Sequence, residues 1–445
     1  MSNRTLHFGL NALPAGNHPG AWRSPQASPF GYYDFHQWQH IAEVAERGTL
    51  DAIFLADSPS LFTSPESGPA IGFDPTVLLA ALASVTEHIG LIGTASTSFE
   101  EPYNIARRFG SLDHLSNGRV GWNVVTTRNA NAAKNYSDAP HLPKSLRYER
   151  AAEFVEVVRK LWDSWDDDAL IGDQLSGRFA DSERIYAINH HGQHFHVDGP
   201  LNLPRSPQGQ PILFQAGGSP GGLELAARYA DGVFASLLSL PDAIEFTTDL
   251  RRRTVKHGRP ADAIKVLPGL STVIGSTEEE TKKRHREHLE LTGTEERLAA
   301  LAGHLGSVVY DLNPDKPFPD FILDGTYQPA DGVGGFSNAI IGLARREHLT
   351  VGELAKRFSK GHRFIAGTPE QIADSIEEWF LAGAVDGFNL MPDVLPSGLE
   401  IFVDHVVPIL RKRGIFRHEY TGKTLRDRFG LNRPQSLFRR EKLKL

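Results

Sequence analysis

The chain has 445 residues, no cysteine, 40% hydrophobic and 23% charged residues, and a formal net charge of −7. Disulfides, thiolate metal sites and cysteine nucleophiles are therefore excluded. The negative balance argues against a nucleic-acid binder, and the length allows a large buried core.

No stretch has the apolar length of a signal peptide or a bilayer span, so a soluble, cytoplasmic protein is expected. Charge is unevenly spread: residues 411–445 carry 12 Lys/Arg against 3 Asp/Glu, leaving a tail of +9 and a remainder of −16. Such a tail either grips a polyanion or lies on an acidic surface of its own or a neighbouring subunit. The apolar residues Ile415, Phe416, Tyr420, Leu425, Phe429 and Leu431 that punctuate it favour the docked segment.

From the N-terminus, short apolar strands alternate with amphipathic helices. Residues 6–10 read as a strand and 34–47 as a helix with Trp38, Ile41, Ala42 and Ala45 on one stripe. The run AIFLA at 52–56 is a strand buried on both faces. Asp74-Pro75 supplies an N-cap and a first-position proline for a helix to about residue 88. A strand at 91–97, a helix opened by Glu101-Pro102, a strand at 120–126 and a helix at 147–162 follow. Beyond an irregular stretch, 212–216, 232–235 and 264–274 read as strands, each with a helical pattern behind it. A strand at 386–391 and a helix from about residue 398 complete the series.

Eight strand–helix units imply a parallel α/β sheet, and over this length they favour a closed TIM (β/α)8 barrel. A single barrel domain over residues 1–410 is expected, with long insertions at about 163–205 and 306–362 and a basic tail at 411–445. Insertions of that length usually serve as lids or partner contacts.

The active site of such a barrel lies at the C-terminal strand ends. Those ends offer Asp57, Thr94, Ser96, Asn123 and Gln215. A polar group buried there without a partner costs about 1–3 kcal/mol. These side chains therefore either bond to neighbouring loops or face a ligand, and five together point towards a ligand. The run Gln215-Ala-Gly-Gly-Ser-Pro-Gly-Gly222 joins a strand to a helix at about 223–229. Its glycines admit close approach, and free N–H groups at the helix start suit a phosphate, with Ser219 as a further donor. It has neither a P-loop ending nor a dinucleotide fingerprint. His190, His191, His194 and His196 fit no ligand spacing, so no metal is expected. Asp166-Asp-Asp168 reads as a solvated loop or cap. No Gly-x-Ser-x-Gly elbow is present, so a cofactor that carries its own reactivity is the economical proposal.

Several collinear segments resemble the nitrilotriacetate/EDTA monooxygenase branch of the bacterial luciferase-like flavin monooxygenases. They are Gly20-Ala-Trp-Arg23, Phe54-Leu-Ala-Asp57, Thr94-Ala-Ser-Thr97, Glu101-Pro-Tyr-Asn-Ile-Ala-Arg107 and Ser116-Asn-Gly-Arg-Val-Gly-Trp-Asn-Val-Val-Thr126. Arg147-Tyr148, Gly199-Pro-Leu-Asn202, Ser206-Pro-Gln-Gly209, Gln215–Ser219, Asp386-Gly-Phe-Asn389 and Val407-Pro-Ile-Leu-Arg-Lys-Arg-Gly414 continue the match.

The resemblance implies a barrel that binds FMN at its mouth. Asp57 and Thr94 would lie near the isoalloxazine and ribityl chain with Asn123 beside them. Tyr148 and Ser219, with the Gly218 backbone, would hold the phosphate. Lys144 stands where the family pattern has a histidine, and offers a point charge in place of an imidazole.

The same resemblance implies FMNH2 supplied by a separate NAD(P)H flavin reductase, with O2 as co-substrate and a C4a-(hydro)peroxyflavin as oxidant of a small organic substrate. A homo-oligomer is expected. His18 and Trp22 are candidates for the substrate side, and the 306–362 stretch, with Gly332, Gly334 and Gly335 as hinges, for a lid. Arg23 or Arg128 would suit an anionic substrate. A non-catalytic flavin-binding barrel and a deazaflavin-dependent hydride-transfer enzyme remain as alternatives on the same scaffold.

Overall fold

The computed structural model describes residues 4–13, 15–61, 66, 68–69, 72–127, 129–137, 141–305, 312–324, 334–357 and 361–442. Its main sheet has ten strands: β1 (His7–Asn11), β2 (Ala52–Leu55), β3 (Gly90–Ser96), β4 (Val120–Val125), β5 (Ile212–Ala216), β6 (Gly232–Phe234), β7 (Lys265–Val266), β8 (Gly269–Ile274), β9 (Arg363–Gly367) and β10 (Gly387–Pro392). All pairings in it are parallel, in the order β7-β6-β5-β4-β3-β2-β1-β10-β8-β9.

The two ends of that order belong to one run of chain. Strands β7 and β8 are halves of residues 265–274, broken at Leu267-Pro268. The lower half pairs with β6, and Leu267 N donates to Val233 O at 2.9 Å. On the other side Asp386 N donates to Val266 O and Asn389 N to Pro268 O, both at 2.9 Å, and β8 pairs with β10. The sheet thus closes as the TIM barrel expected from eight strand–helix units. Strand β9, which the sequence pattern does not announce, adds to the free side of β8.

Helices α1 (Phe35–Arg47), α2 (Pro75–Ala83), α3 (Pro102–Leu115), α4 (Lys144–Trp162), α5 (Pro220–Tyr229), α6 (Leu240–Lys256), α7 (Gly334–Glu347), α8 (Val351–Arg357) and α9 (Pro369–Leu381) matter for the sites below. Asp34 and Asp74 cap α1 and α2 through the backbone N–H groups of His36, Thr76 and Val77. Helix α2 ends at Ala83, short of residue 88, where Ser84 and Thr86 hydroxyls donate back to Ala81 O and Leu82 O. Helix α4 starts at Lys144, three residues before the expected start, which sets Lys144 and Tyr148 one turn apart on one face.

Side-chain alternation divides the barrel strands cleanly. Phe8, Leu10, Ile53, Leu55, Leu91, Trp122 and Leu213 belong to the outer core beneath the helices. The opposite set, Ala52, Phe54, Ile92, Ile212 and Phe214, faces inward and joins Leu267 in an inner core. Leu425, Phe429 and Leu431 of the tail complete this inner core at the strand starts. The Phe429 ring stacks on His7 (4.8 Å, 16°) and meets Phe214 edge-on (5.8 Å). Arg417 pairs with Asp51 at 2.5 Å, Arg426 with Asp231 at 3.0 Å and Arg433 with Asp167 at 2.6 Å. Asp167 also pairs with Arg205, so it is an anchor and not a merely solvated loop residue.

The 163–205 insertion holds two hairpins, Leu170–Asp173 with Arg178–Ala180 and His190–His191 with His196–Val197. Within 306–362 the described residues form Asp320–Leu323, α7 and α8. Gly332 lies outside the described residues, while Gly334 and Gly335 open α7. Among the described residues no helix is long and apolar enough to cross a membrane.

Candidate active site

Above the apolar inner core the same inward positions turn polar. Asn11, Thr94, Ser96, Asn123, Ser271 and Asn389 are all buried at or near the C-terminal strand ends. Thr94 and Asn123 face each other across β3 and β4. Asn123 Nδ2 donates to Thr94 Oγ1 at 2.8 Å, and Thr94 Oγ1 donates to Leu55 O of β2 at 2.7 Å. Asn123 Oδ1 is shut off from solvent and has no hydrogen-bond partner among the described residues. A buried acceptor in this state costs free energy until a donor arrives.

Asp57 follows β2 at the same rim. Its pKa is raised to about 6, chiefly by burial and further by the charge of Asp74, with a smaller push from Glu100. A carboxyl group that titrates this close to neutrality is suited to change protonation during turnover.

The third part of the rim lies after β5. Gly217 sits at φ +124, where a side chain would be strained, and Ser219 caps α5 by accepting from Gly222 N at 3.3 Å. Tyr148 OH lies 3.1 Å from Ser219 Oγ. A Cβ on Gly221 would come within 2.8 Å of the Tyr148 ring, so this glycine lets α4 and the α5 start close on each other. Gly218 is exposed, a Cβ there would meet Phe246 at 3.6 Å, and Lys144 stands one helical turn before Tyr148. Two hydroxyls and a helix N-terminus therefore share one corner, a donor set suited to a phosphate, with Lys144 one turn away on α4.

Asp57, Thr94, Asn123, Lys144, Tyr148, Gly218 and Ser219 thus lie along one arc from β2 to β5. The other strand-end candidates behave differently. Gln215 shares the outer face with Leu213, donates to Ala216 O at 2.6 Å and supports the glycine loop from beneath. Ser96 accepts from Ser98 N at 3.1 Å and from Thr127 Oγ1 at 2.6 Å, so it shapes the loops.

His18 and Trp22 lie across the mouth, where His18 N donates to Asp393 O beyond β10. His18 Nδ1 accepts from Gly20 N at 3.1 Å, so its proton is on Nε2 and faces Thr292 Oγ1 at 3.1 Å. Trp22 Nε1 is buried without a hydrogen-bond partner among the described residues. Arg23 is exposed and donates to Leu291 O at 2.5 Å; Arg128 lies outside the described residues.

Sequence reasoning missed Asn11, Ser271 and Asn389. Asn17 Nδ2 donates to Ser271 Oγ at 2.9 Å, and Asn11 and Asn389 each keep a buried Oδ1 without a partner among the described residues. The available signal was Gly9: a Cβ there would meet Asn389 Oδ1 at 2.6 Å. The histidine group is tied down locally, with His190 Nε2 3.1 Å from Glu153, whose carboxylate also accepts from His194 N and Phe195 N.

The luciferase-like monooxygenase family profile matches residues 8–386. The chain belongs to the luciferase-like monooxygenases. Nitrilotriacetate monooxygenase component A of Aminobacter aminovorans is 44% identical to it over 98% of both chains. The structure of EDTA monooxygenase from Chelativorans sp. BNC1 superposes with a TM-score of 0.81 at 39% identity, covering 98% of this chain and 100% of that one. A riboflavin lyase solved with modified FMN and riboflavin gives a TM-score of 0.84 at 34% identity, covering 96% of each chain. The protein is therefore a flavin-dependent monooxygenase of the two-component kind, which removes the non-catalytic barrel and the deazaflavin hydride-transfer enzyme as alternatives. In this luciferase-like monooxygenase the polar rim stands where the barrel fold places its chemistry.

Proposed function

We propose that this monooxygenase binds FMNH2 along the β2–β5 arc and uses O2 to oxidise a small organic substrate. The observation that carries this reading is the pairing of an unsatisfied inward acceptor, Asn123 Oδ1, with a phosphate-suited corner at Tyr148 and Ser219. Bound reduced FMN supplies the electrons that activate O2, one oxygen atom passing to the substrate and the other leaving as water.

The chain's own groups bind, orient and exclude water. Asn123, held by Thr94, accepts from the ribityl or ring donors, and Asp57 lies at the ring end of the arc. Tyr148, Ser219 and the Gly218 backbone hold the phosphate, and Lys144 adds a positive charge there. His18 and Trp22 occupy the substrate side. The riboflavin lyase with modified FMN supports this cofactor on this scaffold.

A separate NAD(P)H-dependent reductase supplies FMNH2 by diffusion, consistent with a relative that is itself a component A. Such a pair works in the cytoplasm, where NAD(P)H is made. The exposed Leu175 and Phe179 of the first insertion hairpin fit a homo-oligomer in which a second copy covers them.

The test is equilibrium dialysis with FMN, FMNH2 and riboflavin, followed by NADH consumption with an added flavin reductase and a substrate panel. The panel starts from carboxylated amines, since relatives named for nitrilotriacetate and EDTA are similar along their whole length. Preference for FMNH2 over riboflavin and substrate-dependent O2 uptake are expected. Absence of FMN binding in both redox states overturns the reading.

A further inference from the structure

A second cavity lies outside the barrel wall. It has a volume of about 450 Å³ and is bounded by the start of α6, by α7 and α8, and by β9 and α9. That volume is in the range of small-molecule sites. Leu238, Leu240, Leu343, Leu354 and Trp379 give it apolar walls. None of the β2–β5 rim residues lines it.

Its charges do not balance. Arg346 is matched by Asp242 at 2.6 Å and Arg357 by Glu347 at 2.5 Å. Arg363, the third arginine on the wall, has no ion-pair partner among the described residues. Its guanidinium lies 4.3 Å over the Trp379 ring and Nη2 donates to Ser375 Oγ, while Nη1 has no hydrogen-bond partner among the described residues. Burial, only partly opposed by the charge of Glu378, holds its pKa down to about 10. His362 beside it adds no charge, since burial pushes its pKa down to about 3. A half-buried cation with one N–H left unpaired is stabilised when an anion joins it.

We infer that this cavity binds an amphipathic monoanion, a carboxylate on an apolar tail, with Arg363 as its counter-charge. The tail lies between Leu238, Leu343 and Leu354, and the carboxylate turns towards β9. Helix α6 borders both this cavity, through Leu240, and the proposed phosphate corner, where Phe246 lies next to Gly218. None of the residues lining this cavity belongs to the proposed phosphate corner.

The test is calorimetric titration of the full chain with octanoate, octanol and octylammonium, with and without saturating FMN. One saturable octanoate per chain is expected, at least tenfold tighter than octanol or octylammonium, and unchanged by FMN. Arg363→Gln should weaken octanoate at least tenfold, with Arg363→Lys recovering part of the loss. Leu238→Trp, which fills the cavity from a half-buried position and leaves Arg363 in place, should abolish binding even if the arginine variants fail to fold. Non-saturable binding, equal affinity for octanol, displacement by FMN, or full binding by folded Arg363→Gln or Leu238→Trp would overturn the inference.

Discussion

The amide of Asn123 is fixed by the hydroxyl of Thr94, 2.8 Å away, which is itself fixed by donating to Leu55 O. Three neighbouring strands thereby set the direction of one unsatisfied acceptor. Thr94→Val keeps the shape but removes both bonds, each worth about 1 kcal/mol. The variant should fold, lose about 1–2 kcal/mol of stability and bind FMN about tenfold more weakly because Asn123 is free to turn. Anaerobic fluorescence titration measures this, and an unchanged dissociation constant removes Asn123 from the flavin site.

The corner at Ser219 should separate FMN from riboflavin. Ser219→Ala loses a helix cap, worth about 1 kcal/mol, together with a phosphate donor. Tyr148→Phe loses only the phenol. Both, and Lys144→Ala, should weaken FMN by roughly five- to thirtyfold and leave riboflavin affinity alone. For Lys144→Ala the salt dependence of FMN binding should also flatten. Equal losses for the two flavins would mean that the phosphate binds elsewhere.

Much of this barrel is legible in the sequence because its strands are buried on both faces. AIFLA and ILFQA read as strands from apolarity alone. That same double burial hides which residues face inward. Gln215 looks like a mouth residue by its place at a strand end, yet alternation puts it with Leu213 on the outer face. Asn389, three residues into β10, looks like an interrupted strand and is an inward polar group given space by Gly9. The break at Leu267-Pro268 is visible as a proline, but not that one run of chain serves β6 below and β10 above. Nor does the spacing of Leu425, Phe429 and Leu431 say which end of the barrel they fill.

Asp57 predicts a pH effect of definite sign. Its folded pKa, about 6, lies above the unfolded value near 3.8, so the fold favours the protonated acid. The penalty for carrying the charge is absent below the unfolded value. It grows as pH rises from about 4 to 6 and is constant above that. Asp57→Asn removes it, and solvent access reduces the gain to about 1 kcal/mol. The variant should melt about 2 °C higher than the parent at pH 8 and at the same temperature near pH 4. A gain that is independent of pH would show that the carboxyl charge is not its source.

The tail should be required for the barrel and dispensable for the mouth's chemistry. Phe429 is 1% exposed between His7 and Phe214, so Phe429→Ala should cost about 3–5 kcal/mol. Asp51 is fully buried and accepts from Phe8 N at 2.7 Å as well as from Arg417. Burial pushes the Asp51 pKa up, but Arg417 and His7 outweigh it and hold it below the usual carboxylate value. Its contribution is therefore present above the unfolded pKa and is lost as pH falls through the lowered folded value. Arg417→Met should cost about 3–5 kcal/mol at pH 7 by leaving that carboxylate uncompensated, and its deficit should narrow as Asp51 protonates in acid. Most of the Phe429→Ala deficit should persist at every pH, because it comes from lost apolar packing. Below their melting temperatures both variants should bind FMN as the parent does, since they act at the strand starts and the proposed FMN site is at the strand ends. Denaturant melts from pH 4 to 8 with parallel FMN titrations test all of this. Parental stability in both variants would show that the tail only decorates the barrel, and selective loss of FMN binding would place the flavin at the wrong end.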